Sequence, residues 1–195
     1  MVADVHEQTR LEAVLRARLL ISKHPVYLDT ETTGLETDSE VVEIAVIYSD
    51  GVELLHSLVK PANPIPMAAT RVHGITNDDV ADAPRFDAVW RGQLQEIITG
   101  TRLVYDQPIC IYNAAYDMRL MKQSLVIYAL TPYGFKPGFC VMNLYAEFYG
   151  EWNDYRASYK WQSLSAAADQ CGLAWPVNAH RALADAQMCR AILHH

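Results

Sequence analysis

Basic residues are scarce in this chain. Sixteen lysines and arginines stand against 23 acids, a formal net charge of −7. This argues against a surface that holds polyanions by general electrostatics, and any phosphate-bearing ligand must be met by something local, such as bound divalent cations. Cysteine is sparse as well. Cys110, Cys140, Cys171 and Cys189 lie far apart with no C-x-x-C pair, which argues against a zinc site and for reduced thiols in a cytoplasmic protein. No apolar run is long enough to cross a bilayer, so no membrane role is expected. Glu12, Arg16 and Arg18 break up the leading segment, leaving no apolar stretch of the kind a signal peptide needs. Repeats and low-complexity segments are missing too.

What remains is a chain of 195 residues with 51% apolar content, enough for one well-cored domain. Leu11, Val14, Leu15 and Leu19 recur at helical spacing and predict an amphipathic leading helix, residues 1–23, ahead of a single domain, 24–195. Strands are expected over 25–29, 41–48 and 52–59, with Asp50-Gly51 as the hairpin turn between the last two. The proline-rich PANPIP (61–66) connects to a short helix over 67–73, and a longer helix is expected near 85–99. PICIYN (108–113) reads as a short buried strand, with Asn113 capping a helix over 114–125. Further helices are expected near 142–149, over 161–171 before Gly172, and from Asn178 or His180 to about 193. A strand is suspected near 126–140. A hairpin meander followed by alternating helices and strands is an α/β fold with a mixed sheet flanked by helices.

The chemistry concentrates in VYLDTETTG (26–34). Asp29 and Glu31 stand two apart, so an extended strand projects both from one face and Thr30 from the other. Paired carboxylates repel unless a proton or cation lies between them, and hard oxygen ligands suit Mg²⁺ or Mn²⁺. From this segment alone, two solvated loop acids remain an equal alternative. Asp29-x-Glu31-x-Thr33-Gly34-x₅-Glu40 also approaches the spacing of an EF-hand calcium loop. Its flanks are β-branched and aromatic where an EF-hand needs helices, so that reading is set aside.

Two more segments add to the first. Asp117 lies four residues beyond Asn113, in the first turns of a helix after a strand. His180 precedes Asp185 by five, about 140° around a helix, so the two converge only if His180 lies on the preceding loop or first turn.

Together, Asp29-Thr-Glu31-Thr-Thr-Gly34, Asn113-x₃-Asp117 and His180-x₄-Asp185 resemble the three motifs of the DnaQ-like, DEDDh 3′–5′ exonucleases, a superfamily that includes the epsilon proofreading subunit of DNA polymerase III, ribonuclease T and oligoribonuclease. His73-Gly-Ile-Thr76 is similar to that family's HGIT segment. The resemblance spans roughly residues 25–193 and implies a ribonuclease H-like fold. It implies that Asp29, Glu31 and Asp185 hold one divalent ion, and that Asp29 with Asp117 holds a second. It implies that His180 is the general base of a two-metal hydrolysis. Substrate contacts are implied for Thr32, Gly34, Leu35, His73 and Asn113, although for His73 a packed loop histidine is an equal alternative. The implied substrate is the 3′ end of single-stranded DNA or short RNA. The implied partner is a second copy of the chain or a polymerase. The reading from another class is a non-catalytic nuclease-like scaffold.

Residues 139–161 are rich in aromatics. Tyr145, Phe148, Tyr149 and Trp152 recur at helical spacing, which favours a core stripe. Lys136, Arg156 and Lys160 bracket the stretch, which is the candidate for substrate choice.

Overall fold

In the computed structural model, which describes residues 2–100, 107–175 and 180–195, a five-stranded mixed sheet lies between two groups of helices. The strands run β1 (Val26–Thr32), β2 (Val41–Ile47), β3 (Glu53–Leu58), β4 (Ile109–Ile111) and β5 (Gly138–Cys140). Their spatial order is β3-β2-β1-β4-β5. The first three form an antiparallel meander, and β4 and β5 join parallel to β1. The Asp50-Gly51 turn forms as expected: Tyr48 exchanges backbone hydrogen bonds with Gly51 and Val52, and Gly51 takes the left-handed φ of 89° that such turns favour in glycine. β5 is the strand suspected within 126–140. A small hairpin, β6 (Trp152–Asn153) with β7 (Ser158–Tyr159), was not foreseen. Its strands are two residues long and carry no alternation to read.

The helices are α1 (Val2–Ser22), α2 (Met67–His73), α3 (Phe86–Val89), α4 (Gln95–Thr99), α5 (Ala114–Ile127), α6 (Val141–Tyr149), α7 (Leu164–Gln170) and α8 (Ala182–His194). A π-helical turn over Trp90–Leu94 joins α3 to α4, so the expected helix near 85–99 is one run with an inserted turn. α7 begins three residues later than expected, where Ser163 accepts the Ala166 N–H as an N-cap. α8 begins at Ala182. His180 lies two residues ahead of it, and Asn178 falls outside the described residues.

Strand alternation divides the core. Val26 and Leu28 pack with α3, α4 and α5 on one face of the sheet. Tyr27, Cys110 and Tyr112 pack with α1, α6, α7 and α8 on the other. Continuing the period of two, Asp29 and Glu31 face the α8 side while Thr30 faces α5. β2 is buried along its whole length, Glu43 included.

Three local expectations are corrected. The outward face of α1 is the one expected to be buried: Leu11, Leu15 and Leu19 are exposed, whereas Ala13 is 1% exposed and inserts into the core. α1 docks on α6 and α8 through small residues together with Leu20 and Ile21, a choice made by the partner helices. Asn113 does not cap α5 through its side chain. It is exposed, in left-handed geometry (φ 68°), and its backbone carbonyl accepts the Tyr116 N–H. Of the expected core stripe, Tyr145 is buried but Tyr149 and Trp152 stand 44% and 39% exposed. The loop from Thr33 to Glu40 has strands on both sides, and buried Glu40 accepts the N–H groups of Ala62 and Asn63. Glu40 thus pins the proline-rich connection, which removes the EF-hand reading.

Candidate active site

At the carboxyl end of β1 the alternation delivers Asp29 and Glu31 to the face where α8 starts, and Asp185 enters from its first turn. One carboxylate oxygen from each of the three lies within 4.8 Å of the others. Asp117 comes from the opposite layer. It is buried, and its Oδ1 accepts the Thr30 N–H at 3.0 Å and the Thr30 hydroxyl at 2.7 Å. Thr30 points away from its acidic neighbours, and the bond from its backbone N–H holds Asp117 at the edge of β1, where its charge reaches Asp29.

Such crowding carries an electrostatic penalty. Burial, then the charges of Asp117, Asp185 and Glu31, push the Asp29 carboxyl well above the usual range. Burial raises Glu31 to about 9, Asp117 to about 7 and Asp185 to about 6. For Asp117 the Thr30 hydrogen bonds oppose the rise, and for Asp185 the neighbouring His180 does. Raised carboxyl values mean that the folded chain holds protons which the unfolded chain has released. The stability these groups contribute is complete below the ordinary range near 4, and it is lost as pH rises through about 6, 7 and 9 in turn. A divalent cation should replace those protons. At 100 times its Kd, a ligand binding only the folded state adds about 2.7 kcal/mol. For a chain of this length that is a rise in Tm of roughly 5–10 °C. We expect that rise with Mn²⁺ at about pH 8 and a smaller one at about pH 5, read by thermal melting. Equal shifts at both pH values would contradict the raised carboxyl values.

His180 and Asp185 are joined as their spacing required. His180 lies ahead of the helix in left-handed geometry (φ 60°) and donates its backbone N–H to Asp185 Oδ1 at 3.2 Å. Its exposed ring stacks on Trp175, with centroids 6.2 Å apart. What fixes this corner is a clamp that motif reasoning missed. Glu43, directly across from Glu31 on β2 and 0% exposed, accepts both Nε and Nη2 of Arg181 (shortest contact 2.6 Å), the Ala182 N–H at 2.9 Å and the His56 Nε2 at 2.9 Å. Burial pushes Glu43 up, but these hydrogen bonds outweigh it and hold the carboxyl below its usual value. The signal was visible: one acid inside the apolar run VVEIAVI has to be paired.

The expected substrate-contact residues divide. Thr32 is buried, with its hydroxyl against Gly34 O at 2.9 Å and the Tyr116 hydroxyl at 2.6 Å. His73 is 5% exposed. Its Nε2 contacts the Thr32 carbonyl at 3.2 Å and its Nδ1 accepts the Ile75 N–H at 3.0 Å, the arrangement of a neutral strut beneath β1. Burial accordingly lowers its pKa. Leu35 is 74% exposed. Arg119 holds the Leu35 and Glu36 carbonyls from α5. Asn113 is exposed at the start of α5.

The sequence from Val26 to Leu193 matches the RNase_T family, described as exonuclease. The chain belongs to this exonuclease family. The mixed five-stranded sheet flanked by helices matches the structures of DEDDh exonucleases. This family member is 40% identical over 183 residues to an uncharacterized exonuclease, CP81, of Escherichia phage 186, covering 91% of the chain and 90% of that protein. It is 28% identical over 109 residues to the DNA polymerase III epsilon subunit of Rickettsia typhi, across 53% of the chain and about half (48%) of the subunit's own length. Among solved structures it resembles Exonuclease X in complex with 5′ overhanging duplex DNA (27% identity, TM-score 0.59, 86% of this chain and 87% of that one). It also shares its fold with the nuclease domain of 3′hExo, a DEDDh member bound to rAMP (17% identity, TM-score 0.68, 87% and 89% covered). The family is one of hydrolases, so the acidic cluster is the candidate centre of phosphodiester hydrolysis. Among the described residues, no helix is long and apolar enough to cross a membrane.

Proposed function

We propose that this exonuclease removes nucleotides singly from the 3′ end of single-stranded DNA or short RNA and releases nucleoside 5′-monophosphates. The observation that carries the reading is the meeting of Asp29, Glu31 and Asp185 within 4.8 Å beside the His180 loop. Three carboxylates with raised pKa values form a donor set of hard oxygens that lacks only positive charge, and Mg²⁺ or Mn²⁺ fits it. Asp29, Glu31 and Asp185 would hold one ion, and Asp29 with Asp117 a second. Bound there, the ions offset the carboxylate charge, attract the substrate phosphate and lower the pKa of water. His180, free to rotate off Trp175, accepts the proton of the attacking water. The Glu43–Arg181 clamp keeps the His180 backbone in place while the ring moves. Exposed Leu35, on its loop tied to α5, meets the terminal base. Thr32 and Gly34 shape the turn beneath that base, His73 supports the strand from below, and Asn113 stands at the rim.

The named ligands of two related structures, a 5′-overhanging duplex DNA and rAMP, support a nucleic-acid substrate. The scaffold alternative has less support. A silent domain has no need of carboxylates whose crowding destabilises it. Matched 5′-labelled DNA and RNA oligomers, incubated with Mg²⁺ or Mn²⁺, should each be tested for a ladder descending by single nucleotides. The ladder is expected with at least one of them and should disappear in EDTA. Fragments independent of the cation, or internal cuts, would refute the reading.

A further inference from the structure

Trp161 is 60% exposed, and no other aromatic ring among the described residues stacks on it. By contrast Trp152, the other tryptophan of this region, packs edge-on against Tyr159 and beside His6. The backbone around Trp161 is firmly held. The Tyr112 hydroxyl donates to the carbonyls of Gln162 (3.1 Å) and Ser163 (3.4 Å). Gln162 is tied through its side chain to Glu151, Lys160 and Gln170, and Ser163 caps α7. On the other side Lys160 bonds Glu151 through both its backbone N–H and its ammonium. A large aromatic surface is thus shown to solvent on a rigid support, which costs little ordering entropy on binding.

Its position gives that surface a use. β1 and β4 are parallel and in register, Tyr27 beside Cys110. Tyr112 directly follows the carboxyl end of β4 and packs with Tyr27 on the face of the sheet to which Asp29 belongs. Tyr112 holds the 162–163 carbonyls, so Trp161 is carried at the end of the sheet where the acidic cluster lies. With a net charge of −7 the chain has little general attraction for a polyanion. Stacking on a base face provides affinity that does not depend on charge and tolerates any sequence.

We propose that Trp161 is a stacking platform for an unpaired base of the strand whose end occupies the acidic cluster, and so a substrate-binding residue of this exonuclease. The inference rests on the nuclease reading above, and its test is one of binding. Fluorescence anisotropy of a 5′-labelled oligodeoxyadenylate in Ca²⁺ should show Trp161→Ala binding about 5- to 150-fold more weakly than the parent. Trp161→Phe should keep most of the affinity, and both variants should melt with the parent because the side chain is largely outside the core. An abasic residue stepped along the oligomer should weaken the parent at one position more than at the others. At that position Trp161→Ala should lose nothing further, the non-additivity expected of two groups in contact. Equal affinity for parent and Trp161→Ala, or additive losses at every abasic position, would overturn the platform. Intact binding without cleavage in Mg²⁺ or Mn²⁺ would overturn the nuclease reading and leave the platform standing.

Discussion

Asp29→Asn should lose at least about 10³-fold in cleavage rate while the cation-free protein becomes more stable. The two effects have one cause. Asp29 carries the carboxylate on which Asp117, Asp185 and Glu31 all act, and its own pKa is driven well above the usual range by burial and by those charges. The amide is nearly the same shape and bears no charge, so the repulsion among the remaining acids falls. At about pH 8, where the parent's carboxyls are forced toward ionisation, the variant's Tm should exceed the parent's. At about pH 5 the difference should shrink. The same substitution removes the one carboxylate proposed to touch both ions. Losing several kcal/mol of charge stabilisation in the transition state, at 1.36 kcal/mol per tenfold, gives the factor of about 10³ or more. The Mn²⁺-induced rise in Tm should disappear with it. Full activity in Asp29→Asn would end the site assignment. A drop in Tm without cations would mean that Asp29 serves packing more than ligation.

His180→Ala should lower kcat by about 10²- to 10⁴-fold, the usual contribution of a positioned proton acceptor, with little change in KM or Tm. The small structural effect follows from exposure: the ring rests on Trp175 at the surface, and the corner is held by backbone and by Arg181. A base acts in its neutral form, so parent activity should rise with pH. The variant should lose that limb. A second origin for the limb is protonation of the acidic cluster, since Asp185 and Asp117 titrate near 6 and 7 without cations. Raising the Mn²⁺ concentration shifts a limb that comes from proton–cation competition and leaves a histidine limb in place. A limb that persists in His180→Ala and moves with Mn²⁺ would transfer the pH dependence to the carboxylates.

Much of this site could be read in one dimension because its logic is local. A period of two puts Asp29 and Glu31 on one face of any extended strand, and the five-residue step from His180 to Asp185 closes only across a helix start. Both relations hold in the structure. The mixed sheet was legible for the same reason: meander, Asp50-Gly51 turn and apolar runs are all short-range signals. The side from which Asp117 approaches was not. That depends on α5 packing against the face Thr30 points to, a relation between residues 87 positions apart.

The same limit explains the other differences. Helical spacing in α1 identified a helix with an apolar stripe, yet Ala13 and its neighbours, lacking bulk, are what permit close approach to α6 and α8, and the leucines turn outward. The Glu43–Arg181 clamp joins residues 138 apart, and Trp161 reaches the site's end of the sheet through Tyr112, 50 residues before Gln162. Residue order along one strand or one helix start sets which chemical groups are available and how each pair is aimed, since backbone geometry alone enforces it. Which layers meet, and hence which groups share a solvent-poor space where charge becomes reactive, is settled by packing between distant segments, where shape and volume outweigh any local pattern.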